Sequence, residues 1–404
     1  MFGWFRSGRS MPSLTLLLVV GFADAQVPGV PAAQTGMRAT FYSSSATLRG
    51  TNQQAVLKPN CDPAVENCWV DPDTGNVIGQ EDVPTAAGQG YTNVDILYLD
   101  SQTCVLRFTS YLLEYSTGMV TTAAEGGQVS AGDSCSDYWM SPELLGQMRS
   151  QESAGVRVLR GSYTLGEVTF DGITLVTSVS SGVVSSTYDA VTGLFVIGSG
   201  RTRGAAVPTI SPDNSITPGS GSSHLSYTRL LGARILPGLG AVEELPAHVL
   251  QANRLVYQCS RTLTASGLGA LETPCIFEAH LGQRSNIWAL TNSVLRVPDQ
   301  ITGTYMTSES SSVIVGAGHG GFYATPTLLN VLQQGVTLDV DPVTGIRTSV
   351  AHVDDAVVAI TEESNAERKT FVYDRRTGWL VRHVNEQVQA TGTVTTWFGL
   401  VAVE

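Results

Sequence analysis

Beyond Asp341 the chain alternates apolar and polar positions along five successive stretches, 346–353, 356–363, 368–373, 378–388 and 391–403, rich in Val, Thr and aromatic residues. A period of two turns successive side chains to opposite faces, so these stretches predict an antiparallel meander with one buried and one wet face. The segment from Gly161 to Ile197 repeats the pattern. Asp-x-x-Thr-Gly punctuates it four times, as Asp71 to Gly75, Asp189 to Gly193, Asp341 to Gly345 and Asp374 to Gly378. An Asp that hydrogen-bonds its own turn, followed by a Gly that accepts positive φ, is what a tight connection between antiparallel strands needs.

Two of these turns belong to a longer internal repeat. Tyr138-Trp-Met-Ser-Pro-Glu-Leu-Leu145 matches Phe322-Tyr-Ala-Thr-Pro-Thr-Leu-Leu329, and Tyr188 to Leu194 matches Tyr373 to Trp379 at nearly the same offset, 184 and 185 residues. Further back, Arg38 to Tyr42 resembles Arg254 to Tyr257, with Tyr42 aligned to Tyr257. The first copy therefore carries about thirty extra residues, assigned to an insert at about 56–88. A second insert at about 201–223 is rich in Pro, Gly, Ser and Thr without apolar periodicity.

Each copy predicts one helix. Ser141-Pro142 and Thr325-Pro326 each offer a hydroxyl to cap free amides and a Pro at the first helical position, and Gly335 suits the end of the second helix. The fold expected is mainly β with a minor helical part: two tandem homologous domains, 26–237 and 238–404, each a curved antiparallel sheet crossed by one short helix. In architecture, over the later half of each copy, this is similar to the curved-sheet carriers of the lipoprotein-localisation class.

The first 25 residues place Arg6 and Arg9 ahead of an apolar run, Leu14 to Phe22, and then Ala23-Asp-Ala25. That order predicts a secretory signal cleaved after Ala25, in a run too short to span a membrane. The expected product is secreted or periplasmic, of bacterial origin, without a transmembrane segment. All six cysteines fall after residue 25, where disulfides are the default, and the shortest loops pair Cys61 with Cys68, Cys104 with Cys135 and Cys259 with Cys275. Without the leader the chain has 21 basic and 34 acidic residues, and its only lysines are Lys58 and Lys369. Such a chain offers no cationic surface to phosphates, which excludes nucleic acid as an expected partner.

Candidate chemistry resolves mostly into turns and loops. Asp73-Thr-Gly75 is the aspartic-protease triplet, but no second Asp-Thr/Ser-Gly lies on an apolar strand of the other copy. Asp71, Asp73 and Gly75 open like a calcium loop whose later ligands are missing. Gly316-Ala-Gly318-His319-Gly320-Gly321 satisfies G-x-G-x-x-G, with Asp339 beyond it, yet Pro326 starts the helix too late for a dinucleotide fingerprint. His319 has no G-x-S-x-G beside it, and the six histidines show no metal-binding spacing. No catalytic residue, metal ligand or cofactor is expected. The ligand-binding candidates are His319 and the aromatic pairs before the helices, Tyr138 with Trp139 and Phe322 with Tyr323, which can line a pocket between helix and sheet.

These features point to an exported non-catalytic protein that binds an apolar small molecule or lipid, or an envelope protein. A surface or assembly module acting through the two inserts is the alternative reading. A hydrolase with residues scattered along the sequence is a third.

Overall fold

The computed structural model describes residues 30–49, 56–57, 69–70, 86–114, 117–150, 155–165, 168–179, 182–203, 209–210, 216–217, 222–236, 242–265, 269–298, 304–316, 318, 321–389 and 392–404. The leader, Cys61, Cys68, the turn Asp71 to Gly75 and His319 lie outside them.

The first half runs through β1 (Met37–Arg49), β2 (Val56–Leu57), β3 (Trp69–Val70), β4 (Ala86–Leu99), β5 (Thr103–Glu114), β6 (Met119–Ala131), β7 (Ser134–Cys135), β8 (Trp139–Met140) and α1 (Pro142–Gln147). It continues with β9 (Val156–Leu165), β10 (Val168–Val179), β11 (Gly182–Asp189), β12 (Phe195–Arg203), β13 (Thr209–Ile210), β14 (Ile216–Thr217) and β15 (Ser222–Ile235). The second half comprises α2 (Ala247–Gln251), β16 (Arg254–Ala265), β17 (Gly269–Arg284), β18 (Trp288–Pro298), β19 (Tyr305–Val315) and α3 (Pro326–Val331). It ends with β20 (Thr337–Val340), β21 (Arg347–Val353), β22 (Val357–Glu363), β23 (Glu367–Asp374), β24 (Leu380–Gln389) and β25 (Gly392–Val403).

Both halves use one antiparallel plan. Four strands run outward from β1 to β6, the chain crosses through α1, and the return meander ends with β15 paired to β1, in the order β6-β5-β4-β1-β15-β12-β11-β10-β9. The second sheet has the order β19-β18-β17-β16-β25-β24-β23-β22-β21-β20 and crosses through α3. Pairing the last strand with the first curls each sheet about one core. Phe41, Leu106, Tyr188 and Leu194 meet Leu145 of α1 in the first core; Tyr257, Ile314 and Tyr373 meet Leu329 of α3 in the second. Six-residue helices are far too short to persist alone, so burial of these single leucines, roughly 1.5–3 kcal/mol each, holds them in place.

The repeat is visible bond for bond. Met140 N–H donates to the Gly193 carbonyl (3.0 Å) and Phe195 N–H to that of Tyr138 (3.0 Å); Ala324 to Gly378 (2.9 Å) and Leu380 to Phe322 (2.9 Å) are the counterparts. Ser141 and Thr325 cap their helices through Leu144 and Leu328 N–H. The three described Asp-x-x-Thr-Gly segments are turns: Gly193, Gly345 and Gly378 have φ of 76°, 72° and 78° and donate to the carbonyls of Asp189, Asp341 and Asp374. The predicted disulfides Cys104–Cys135 and Cys259–Cys275 are formed.

Four expectations need correction. A bulge precedes Phe41 in β1 and Tyr257 in β16, so Tyr257 is the partner of Phe41, not Tyr42; a one-residue slip would turn the ring to the opposite face. The second helix ends at Val331, and Gly335 (φ 84°) serves the following turn, where its N–H donates to Val350. Helix α2 has no side-chain cap and no signature in the sequence pattern. Finally, the outer face of β4, β5 and β6 is not wet. Asn93, Asp95, Leu97 and Val105 point away from the first core yet are at most 4% exposed, because the second half covers them.

Candidate functional site

That covered face closes a cavity. Inside the curl of the second sheet is a space of about 380 Å³, and its wall includes first-half residues: Arg38 from β1, Arg107, Thr109 and Tyr111 from β5, and Glu125 from β6. The β5–β6 hairpin is fastened to the turn between β22 and β23. Val120 N–H donates to Asn365 Oδ1 (2.9 Å), Asn365 Nδ2 to the Gly118 carbonyl (2.8 Å), Ser364 Oγ to the Val120 carbonyl (2.7 Å) and Thr122 N–H to Glu367 Oε2 (2.5 Å). Apolar contacts of Tyr111 and Val120 with Ile346, and of Leu97 and Val105 with Val313 and Val315, complete the seam.

One side of the cavity is aromatic. Tyr257, Phe277, Phe322, Phe371 and Phe398 line it, and the His383 ring stacks between Phe371 (centroids 4.6 Å, 15°) and Phe398 (5.6 Å, 14°). Burial pulls the His383 imidazole down to about 4, against the opposing influence of Glu125, so the ring is neutral at pH 7. Among the described residues, three lining atoms are buried without a protein hydrogen-bond partner: Ser293 Oγ, His383 Nε2 and Asn385 Oδ1. An unmet buried polar atom costs about 1–3 kcal/mol, so three facing one space mark a surface built to meet polar groups that enter it.

The opposite wall is ionic. Asp95, 3% exposed, accepts from Arg38 at 2.6 and 2.9 Å and from Arg107 at 2.8 Å. Burial would raise its carboxyl, but the two guanidiniums hold it well below the usual carboxylate range. Arg38 and Arg234 reach Asp339 of the second half at 3.4 and 2.6 Å, and Asn93 donates to Asp341 at 3.1 Å. Glu125 is paired with Lys369, whose side chain is 5% exposed. Glu125 lines the cavity with 46% of its side-chain surface accessible. Lys369 outweighs burial and lowers the Glu125 carboxyl. Glu362 has no ion pair among the described residues, and burial raises its carboxyl.

The sequence-predicted aromatic pairs divide. Phe322 lines this cavity and Tyr138 lines a smaller one in the first half. Trp139 and Tyr323 sit in the cores beneath the hairpin turns, opposite Leu194 and Trp379; the Trp139 indole donates to the Thr192 carbonyl at 2.9 Å. In the G-x-G-x-x-G loop, a side chain at Gly316 would strike the Glu243 carbonyl at 1.9 Å, so that glycine serves chain packing, and Asp339 is committed to Arg234. Sequence reasoning missed His383, Ser293, Glu125 and Arg107. Each lies on a strand whose pattern shows only which face a residue takes, not what faces it.

No protein-family model matches the chain, and a comparison with curated proteins finds no match. Among solved structures, a protein of unknown function from the DUF3598 family of Nostoc punctiforme is similar at 9% identity over 91% of this chain and 96% of that one, with a TM-score of 0.13. A likeness at that level carries no argument about fold or function. The class is therefore defined by the structure alone: a duplicated antiparallel β protein with a cavity in its second half completed by the first.

Proposed function

We propose that the chain is an exported, non-catalytic binding protein that holds an amphipathic small molecule in the second-half cavity. The observation that carries this reading is the combination of an aromatic wall with three unmet buried polar atoms in about 380 Å³. That volume lies within the range of sites that enclose small ligands, which are mostly apolar with a few placed polar groups. The rings offer apolar area; Ser293, His383 and Asn385 offer hydrogen bonds that fix orientation. Export is supported by the leader pattern and by two disulfides, which persist in oxidising compartments. No helix among the described residues is long and apolar enough to cross a membrane.

Native mass spectrometry of the purified full chain, with titration of an environment-sensitive apolar fluorophore such as 1-anilinonaphthalene-8-sulfonate, tests the reading. A co-purified small molecule, or fluorophore binding weakened by Ser310→Phe at the cavity wall, is the expected result. A chain that carries nothing and binds the fluorophore equally with and without Ser310→Phe overturns it.

A further inference from the structure

The duplication gives the first half a cavity of its own, of about 240 Å³. Strand register fixes how the two sites correspond. Phe41 pairs with Thr92 and Tyr257 with Phe277; Ser43 pairs with Thr228 and Cys259 with Phe398. Tyr188 and Tyr373 end equivalent strands, which aligns Ser186 with Phe371, and the same offset aligns Gly198 with His383. Thr92, Ser186, Gly198 and Thr228 line the first cavity, whereas Phe277, Phe371, His383 and Phe398 line the second. The frame is shared, but four rings have been exchanged for hydroxyls and a hydrogen.

What fills the remainder also differs. Phe195 stands where the second half has Leu380, and its ring lies over Gly198, where a Cβ would come within 2.7 Å of it. Phe108 replaces Ser293 and lies over Gly126 in the same way, at 2.3 Å. These rings take up the depth of the first curl and leave a shallower site. The aromatic faces bordering that site belong to Tyr138 and Phe195.

The rest of the described lining is Val184, Ser185, Ser199, Ser226 and the exposed Asp137, and the hydroxyls on the inner face are those of Ser43, Thr92, Ser186, Ser226 and Thr228. Of the hydroxyls that point into the curl, Ser43 and Thr228 are paired at 3.3 Å and Thr92 bonds Ser110 at 3.1 Å; Ser185 and Ser199, one position out of step with Ser186 and Gly198, bond each other on the opposite face. One hydrogen closes each pair, which leaves each pair a second hydroxyl hydrogen and free lone pairs. Such a surface neutralises no charge; it sets hydroxyls that both give and accept hydrogen bonds beside the apolar faces of Tyr138, Phe195 and Val184.

We propose that this cavity is a second binding site, for a small neutral polyhydroxylated ligand such as a sugar ring, with its hydroxyls on the serine and threonine pairs and its C–H face against Tyr138 or Phe195. The site is independent of the aromatic cavity, and either can fail without the other.

The test uses the full chain and four probes, glucose, galactose, N-acetylglucosamine and mannitol, followed by saturation-transfer NMR and calorimetric titration. At least one binds at millimolar concentration or below. Thr228→Phe, which installs the ring that the second half carries as Phe398, weakens that binding at least about ten-fold, and Ser43→Ala weakens it roughly ten-fold by removing one member of a hydroxyl pair. Fluorophore binding in the aromatic cavity is unchanged by either variant. Near-ultraviolet circular dichroism reports whether each variant folds, and Ser43→Ala decides alone if Thr228→Phe does not. Failure of all four probes to bind overturns the proposal, as does binding that the folded variants leave unchanged.

Discussion

Replacing Ser293 by leucine separates stability from binding. Ser293 is 2% exposed, its Oγ has no protein partner, and it borders a cavity of about 380 Å³, so added methyl groups have space to occupy. Removing an unmet hydroxyl relieves about 1–3 kcal/mol. Burying the leucine side chain adds roughly 1.5–3 kcal/mol, reduced where the rings it meets must shift, and overpacking costs about 1–3 kcal/mol when no room exists. The first half supports the sign, because Phe108 occupies the equivalent position there, partly buried and packed against the core. The net expectation for Ser293→Leu is a gain of about 1–3 kcal/mol together with at least ten-fold weaker fluorophore binding. Urea unfolding followed by far-ultraviolet circular dichroism reads the first quantity and fluorophore titration the second. Destabilisation by more than about 1 kcal/mol, or unaltered fluorophore affinity in the folded variant, refutes the reasoning that this hydroxyl is unmet and faces a ligand space.

Asp95→Asn leaves the Arg38 and Arg107 guanidiniums without their shared carboxylate. Its expected cost is about 3 kcal/mol in urea unfolding, at the low end for a broken buried pair because Asp339 still reaches Arg38. Since the folded Asp95 carboxyl is lowered, its contribution is complete above the unfolded value near 3.8 and is lost as pH falls through the folded value; acid unfolding curves of the wild type and variant therefore converge at low pH. His383 gives a different window. With a folded value of about 4 against 6.5 when unfolded, the unfolded chain binds the extra proton first, so this residue costs about 2–3 kcal/mol as pH falls from 6.5 to 4; His383→Phe removes that slope, and an equal slope in both proteins would exclude the buried neutral ring. Gly345→Ala and Gly378→Ala probe two copies of one motif. At Gly345 nothing lies within 4 Å, leaving only the positive-φ cost of about 1–2 kcal/mol, whereas at Gly378 the new Cβ meets the Ala324 carbonyl at 2.3 Å and the Tyr323 ring at 2.5 Å, for about 3 kcal/mol or more. Equal thermal shifts for the two would contradict this placement of the second aromatic pair.

The parts of the fold legible in the sequence are those decided within a few residues. Asp374 and Gly378 specify a turn by their own hydrogen bond and φ, Ser141-Pro142 specifies a helix start, and alternation in 357–363 and 367–374 specifies strands. Cys259 and Cys275 were pairable because one hairpin places them opposite each other. The slip at Tyr257 came from a bulge, which changes register without changing composition. The cavity was not legible because its two walls are far apart in the chain. Glu125 and Lys369 meet across the halves, and Arg107 reads in sequence as an outward residue on a wet face until a second sheet covers it.

The same reasoning explains why the two halves can share a frame yet differ in chemistry. Backbone bonds of the turn and the helix cap hold each curl closed, and those are the positions the copies have in common: Tyr188 and Tyr373 donate to the carbonyls of Asp137 and Gly321, and the turn glycines meet the segment before each helix. The other side chains that point into the curl take no part in those bonds, so ring can replace hydroxyl without altering register. Phe108 and Phe195 fill the first curl, while Ser293 and Leu380 leave the second open. An open curl exposes its interior along the gap between β19 and β20 unless something covers it. In this chain the outer face of the filled half covers that gap, which requires the buried ion pairs of Asp95, Asp339 and Lys369 where a single sheet would have had water. Divergence inside the curls and the buried charges between them are thus two consequences of one arrangement, in which the packed half serves as the wall of the hollow one.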